Sequence, residues 1–265
     1  MALSGFETFA FEFENTTRTV YRRGTGPGVV ILHEMPGITP QVAAFAQRVA
    51  DRGFTVYLPR LFGTPGKPIS QYYMGQQMAV ACIRREFTLL TKHASSPITD
   101  SLRALCRFAH RACGGPGVGA IGMCITGNFA LSLMVDPSVM APVLCQPSLP
   151  APVTASHRAA LHVLPQDLAV VKRRVREEGC GVLGLRFTGD ALCPGARFDT
   201  LRRELGEGFE AIEIDSSRGN PHGIPAIAHS VLTTDLVDAA GHPTRQALDR
   251  VLAMLAERLQ LPARR

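Results

Sequence analysis

The feature that most constrains this chain is the run Gly28-Val29-Val30-Ile31-Leu32-His33, apolar without alternation until its last residue. A strand with one face in water alternates apolar and polar residues, so a continuous apolar run of this length suits a strand covered on both faces, as in a parallel sheet. A helical pattern follows over Thr39 to Arg52, with Val42, Phe45, Ala46, Val49 and Ala50 at helical spacing, and Gly53 stops it. Phe54 to Leu58 is then a second short apolar run, ended by Pro59. Strand, helix and strand in so few residues make a right-handed βαβ unit.

The alternation continues to the end of the chain. Thr16 to Arg23 precedes it as an extended strand, closed by the turn Gly24-Thr25-Gly26-Pro27. Leu61 to Ile69 reads as a Gly/Pro-rich loop, and helices are expected over Ser70 to His93 and Thr99 to Arg111. Strands are expected at Val118 to Met123, Ala141 to Cys145, Val182 to Thr188 and Phe209 to Ile214. Helices are expected from the Cys124 turn to Val135, over Asp167 to Glu178, over Pro194 to Leu205, and over Pro243 to Leu259. The fold class is therefore α/β, a mostly parallel central sheet with helices on both faces. At 265 residues one domain spanning 1–265 is expected, because α/β folds often exceed the usual domain of roughly 100–200 residues.

Composition narrows the function classes. Hydrophobic residues are 46% and charged residues 19%, and no stretch approaches the roughly eighteen apolar residues of a membrane span. The first residues, Met1 to Glu14, lack a basic stretch leading into an apolar core, so a cytoplasmic protein is expected. Seven cysteines at scattered spacings, without a CxxC pair, fit reduced thiols better than disulfides or a zinc site. The net charge of +6 has clusters at Lys172 to Arg176 and at Arg264-Arg265, which read as solvated basic faces. With no tryptophan and no nucleic-acid motif, nucleic acid and membranes are not expected partners; oligomeric state is left open.

The chemistry is concentrated at Val118-Gly119-Ala120-Ile121-Gly122-Met123-Cys124-Ile125-Thr126-Gly127, which reads as strand, tight turn and helix. A side chain at the apex of such an elbow projects from the strand end, with the N–H groups of the next helix beside it. Here it is the thiol of Cys124. The usual elbow has small residues two before and two after the apex; Gly122 fits the first, but the second is Thr126, with Gly127 one step later.

A thiol nucleophile needs a base and a group to orient it. Asp190 follows the strand Val182 to Thr188, where an acid would face the elbow. Three histidines follow the last strand: His222, His229 and His242. His222, nearest the strand end within Asn220-Pro221-His222-Gly223, is chosen as the base. His242 precedes Pro243 and reads as a helix cap, His229 as a residue packed within the long loop Ser216 to Gly241, and His33 as a satisfied core histidine. An oxyanion hole would take its N–H donors from Ile125 and Met35, since Pro36 has none. Glu34 is an acid in an apolar run at the mouth of the expected site.

His33-Glu34-Met35-Pro36-Gly37, Gly122-Met123-Cys124-Ile125-Thr126-Gly127, Gly189-Asp190 and Pro221-His222-Gly223, in this order, resemble the dienelactone hydrolase family of α/β-hydrolases, over about residues 15 to 260. The resemblance implies hydrolysis of a small ester or lactone by a Cys-His-Asp triad, mapped onto Cys124, His222 and Asp190, without cofactor or metal. It also implies that Glu34 contacts the resting thiol, and that two arginines hold a substrate carboxylate, one before the elbow and one four residues after the catalytic histidine. Arg84 or Arg85 would supply the first. The second is unmatched, because Ala226 stands there, and Arg218 or Arg245 are the alternative cations. A thioester is a third expected substrate. Two other readings compete: a ligand-binding member with an inert thiol, and a redox-responsive Cys124.

Overall fold

A computed structural model describes residues 3–83 and 98–261. Eight strands form one sheet: β1 (Glu7–Phe13), β2 (Thr16–Arg23), β3 (Gly28–Leu32), β4 (Thr55–Pro59), β5 (Val118–Met123), β6 (Val139–Cys145), β7 (Val182–Phe187) and β8 (Phe209–Ile214). Their spatial order is β1-β2-β4-β3-β5-β6-β7-β8. β2 runs antiparallel to both β1 and β4, and every pair from β4 to β8 is parallel.

The helices are α1 (Pro40–Asp51), α2 (Gln71–Ile83), α3 (Thr99–Cys113), α4 (Phe129–Leu133), α5 (Ala155–Ala159), α6 (Pro165–Glu178), α7 (Gly195–Leu205) and α8 (Pro243–Arg258). They cover the two faces. Val29 and Ile31 of β3 pack with Val42, Phe45 and Val49 of α1 and Leu248, Val251 and Leu255 of α8, while Val30 and Leu32 pack with Leu102 and Leu105 of α3 and Phe129 of α4. Each fully buried side chain of this kind contributes about 1.5–3 kcal/mol. β3, β4, β5 and β7 are buried at every position, which is why their sequences lack alternation.

β1 was not expected from the sequence, although Phe9, Phe11 and Phe13 alternate through it. Phe9 and Phe11 both pack against Phe108 of α3, at 5.5 and 5.7 Å between ring centroids, so this partly exposed edge strand closes one end of the sheet. The helix after the elbow is also shorter than its sequence suggests: a 3-10 turn spans Cys124–Thr126 and α4 ends at Leu133. Residues 215–242, between β8 and α8, form neither helix nor strand. Among the described residues, no helix is long and apolar enough to cross a membrane.

The parallel strands deliver their C-terminal ends to one rim, where open α/β sheets place their ligands. Behind that rim the loop after β6 is fixed by Arg197, whose buried guanidinium donates to the carbonyls of Pro147 (2.6 Å), Pro150 (2.7 Å), His157 (3.0 Å) and Ala160 (2.9 Å). Burial pushes its pKa down to about 10, although the charge of Asp190 opposes this. Pro147 in turn abuts Gly127, where a Cβ would lie 2.5 Å from the proline Cα.

Candidate active site

Cys124 sits at the end of β5 with φ 55°, a conformation rare for any residue but glycine. That turn is what takes its side chain out of the strand. Gly122 has no room for a side chain: a Cβ there would come within 2.1 Å of the Thr126 carbonyl oxygen. Thr126 itself is fully buried and serves as a pin. Its hydroxyl accepts from Met123 N at 3.0 Å and lies within donating distance of the Leu32 carbonyl at 3.0 Å and the Met123 carbonyl at 2.9 Å. The departure from the usual small residue at this position is thus accommodated, because the side chain turns towards the end of β3. The Cys124 carbonyl accepts from Gly127 N at 2.9 Å and Ser148 N at 3.0 Å, which closes the turn from the other side.

Asp190 lies just beyond β7, buried at 5% exposure, and two contacts orient its carboxylate. Oδ1 accepts from Leu192 N at 2.9 Å, and Oδ2 meets Nδ1 of His229 at 2.7 Å. The imidazole that reaches Asp190 is therefore His229 and not His222. The other ring nitrogen, Nε2, is shielded from solvent and makes no well-formed hydrogen bond among the described residues. Cys124 is close enough to act on the ring electrostatically. Burial pushes the His229 pKa down, but the neighbouring Cys124 sulfur and the hydrogen-bonded Asp190 carboxylate outweigh it and hold the imidazole well above the usual histidine range.

His222 stands elsewhere. It is exposed, with its ring 5.3 Å from that of His242, and lines a surface cavity of about 500 Å³ beside β8 and α8. The histidine nearest the strand end does not face the elbow. β8 is the edge strand, and the chain must run from Ile214 back past β7 before an imidazole reaches Asp190. His242 caps α8, its Nδ1 accepting from Thr244 N at 3.3 Å. His33 is a core residue: Nε2 accepts from Leu61 N at 3.0 Å, which leaves the proton on Nδ1 to bond the Glu34 carbonyl at 3.1 Å.

Glu34 is 2% exposed, and its hydrogen bonds differ from those the resemblance implied. Oε2 accepts from Gln146 Nε2 at 3.1 Å and Ser230 Oγ at 2.8 Å, and Oε1 accepts from Thr233 Oγ1. Cys124 is not among these partners. Burial raises the Glu34 pKa, opposed by those hydrogen bonds and by the charge of His229. Met35 and Ile125 are both buried, and Ile125, in the first turn of a 3-10 helix, has no acceptor for its N–H within that helix. Gln146, Ser230, Thr233 and Asp235 were not singled out in the sequence; the last three lie within six residues of His229, whereas Gln146 directly follows β6.

Arg84 and Arg85 lie outside the described residues. Counting four residues from His229 leads to Thr233 rather than Ala226, so the position for a second arginine is again not basic. Arg245 pairs with Asp238 at 2.5 Å and Asp249 at 3.1 Å on the surface. Among the described residues no group of three or more His, Cys, Asp or Glu is arranged to hold a metal ion.

An eight-stranded sheet in this order, with a strained elbow at the end of β5, an acid after β7 and a histidine after β8, defines an α/β-hydrolase. The model of the dienelactone hydrolase family matches residues 16–166, more than half of the chain, and the protein belongs to that family of hydrolases, which act on small molecules. Among solved structures, it is similar to a candidate dienelactone hydrolase from Klebsiella pneumoniae at 15% identity and TM-score 0.63, covering 95% of this chain and 98% of that one. A dienelactone hydrolase from Anabaena variabilis gives 12% identity and TM-score 0.60, covering 96% and 99%. A dienelactone hydrolase-like promiscuous phosphotriesterase from metagenomic libraries gives 17% identity and TM-score 0.56, covering 96% and 98%. At these identities the likeness concerns the fold. A search of curated proteins returns no match.

Proposed function

We propose that the protein hydrolyses a small carboxylic ester, lactone or thioester with Cys124 as nucleophile, His229 as base and Asp190 as the group that orients the base. The observation that carries this reading is the His229 ring, bonded at Nδ1 to Asp190 at 2.7 Å, with its pKa raised by the neighbouring Cys124 and Asp190. No cofactor or metal has a role in it.

The steps follow from the tautomer. With Nδ1–H donating to Asp190, Nε2 holds the proton given up by the thiol, and the sulfur attacks the substrate carbonyl carbon as a thiolate. The negative charge that develops on the carbonyl oxygen meets the N–H groups of Ile125 and Met35. Collapse breaks the bond to the alcohol oxygen, or to the thiol sulfur of a thioester, and Nε2–H protonates that leaving group. An acyl thioester on Cys124 remains. Water, deprotonated by Nε2, attacks it, and the thiolate departs with release of the acid.

Aryl-acetate hydrolysis and iodoacetamide labelling test the reading. Cys124→Ala and His229→Ala should each abolish hydrolysis. The raised His229 pKa also means that the imidazolium persists beside the sulfur as pH rises through neutrality. Wild type should therefore be alkylated at pH 6.5 far faster than His229→Ala, which has no imidazolium beside the sulfur. Full hydrolysis by Cys124→Ala would remove the sulfur from the mechanism.

A further inference from the structure

An imidazole on a long segment without helix or strand is held only by what that segment bonds, and besides Asp190 on the ring two carboxylates hold this segment. Asp235 Oδ2 accepts from the backbone N–H of His229 at 2.9 Å and of Ser230 at 2.8 Å, and Asp235 N donates to the Ser230 carbonyl at 3.0 Å. A small ring thus closes on the peptide that carries the histidine. Ser230 is gripped a second time, because its hydroxyl donates to Glu34 at 2.8 Å, and Thr233 donates to the other oxygen of the same carboxylate. Glu34 directly precedes Met35. It is also fixed from a third side by Gln146, whose Oε1 accepts from the Cys145 thiol at 2.5 Å.

Two adjacent N–H groups on one carboxylate oxygen fix the plane of the peptide between them, and so the direction of the His229 Cα–Cβ bond. The contact to Asp190 then sets the ring. A mechanism that needs Nε2 aligned with a thiol is sensitive to this, since small misplacements cost far more rate than binding.

We propose that Asp235 is a positioning residue for His229, and that Glu34 completes the clamp by tying Ser230 and Thr233 to the loop that carries Met35. The kinetic part rests on the reading of His229 as base. Asp235 acts through His229, and its carboxylate is spent on backbone N–H groups rather than on the reacting atoms.

The test compares Asp235→Ala, Asp235→Asn, Ser230→Ala and, as a control on the same segment, Asp215→Ala. Two readouts are used: kcat and KM for an aryl acetate, and the low-field proton resonance of His229 Nδ1–H, assigned by its loss in His229→Ala. Asp235→Ala should lower kcat roughly 100-fold with little change in KM, and shift or broaden that resonance. Asp235→Asn, whose amide oxygen still accepts from both N–H groups, should recover most of kcat and the resonance. Ser230→Ala should fall between them, and Asp215→Ala should match wild type.

The proposal is overturned by a wild-type kcat and resonance in Asp235→Ala, or by Asp235→Asn behaving like Asp235→Ala. If Asp235→Ala does not fold, Ser230→Ala decides, because it cuts the link to Glu34 and leaves the backbone bonds; an unmoved resonance there counts against the clamp. Undiminished hydrolysis by Cys124→Ala together with the expected resonance changes would reject the mechanism while leaving the clamp standing.

Discussion

His33 and His229 both follow strands of the same sheet and both come to rest at the same rim, yet they are driven in opposite directions. His33 is fully buried, its ring bonded to a backbone N–H and a backbone carbonyl, and burial, helped by the charge of Arg60, pushes its pKa down to about 4. His229 is also largely shielded, at 19% exposure, but it lies between a carboxylate and a sulfur that can carry charge, and its pKa is raised. Burial alone always disfavours imidazolium; the charge of the partners decides whether burial prevails. One histidine is held as a neutral structural pin, and the other is set up to take a proton.

The largest expected effect breaks the comparison at His229. His229→Ala should lower kcat/KM by about a thousandfold or more, as loss of a triad member does. His222→Ala, on the exposed side of β8, should leave it unchanged. Steady-state hydrolysis of an aryl ester measures both, and a large loss in His222→Ala with none in His229→Ala would reverse the assignment.

The next effect belongs to His33 and appears in stability. Its folded pKa of about 4 lies below the ordinary value of 6.5, so the unfolded chain gains a proton between these values that the folded chain refuses. The contribution of His33 is therefore complete above pH 6.5, is lost as pH falls towards 4, and levels off below. The expected loss is about 3 kcal/mol. Urea unfolding of wild type and His33→Asn across that window checks it, because other groups titrate in both proteins. Parallel curves would show that His33 does not titrate as its surroundings imply.

What the sequence reveals of this arrangement follows from the range of the forces involved. The buried strands are visible because burial on both faces removes every polar residue from Gly28 to Leu32 and from Val118 to Met123. Cys124 and Asp190 are visible because each sits directly at a strand end, where local pattern and position coincide. The histidine is not, since nothing local states how far residues 215–242 travel across the sheet edge, and the residue nearest in sequence was the wrong guide to the one nearest in space. Likewise, Glu34 could be recognised as an unusual buried acid, but its partners at Ser230 and Thr233 lie nearly 200 residues away. β1 carried a period-two signal in its phenylalanines, with Ala10 and Glu12 between them.

The smallest expected effect lies at the link between the two histidines. The Thr126 hydroxyl accepts from Met123 N inside the elbow and can donate to the Leu32 carbonyl beside His33, so it joins the strained turn of Cys124 to the end of β3. Thr126→Val keeps the shape but leaves a buried N–H and a buried carbonyl short of a partner, which costs about 1–3 kcal/mol. Thr126→Ser keeps the hydroxyl and should lie much closer to wild type. Because Cys124 holds its left-handed conformation only while its surroundings enforce it, Thr126→Val should lose kcat along with stability, whereas His33→Asn should lose stability alone. Equal kcat in Thr126→Val and wild type would mean that the glycines and Ser148 hold the elbow without help from the threonine, and that the two histidine regions are independent.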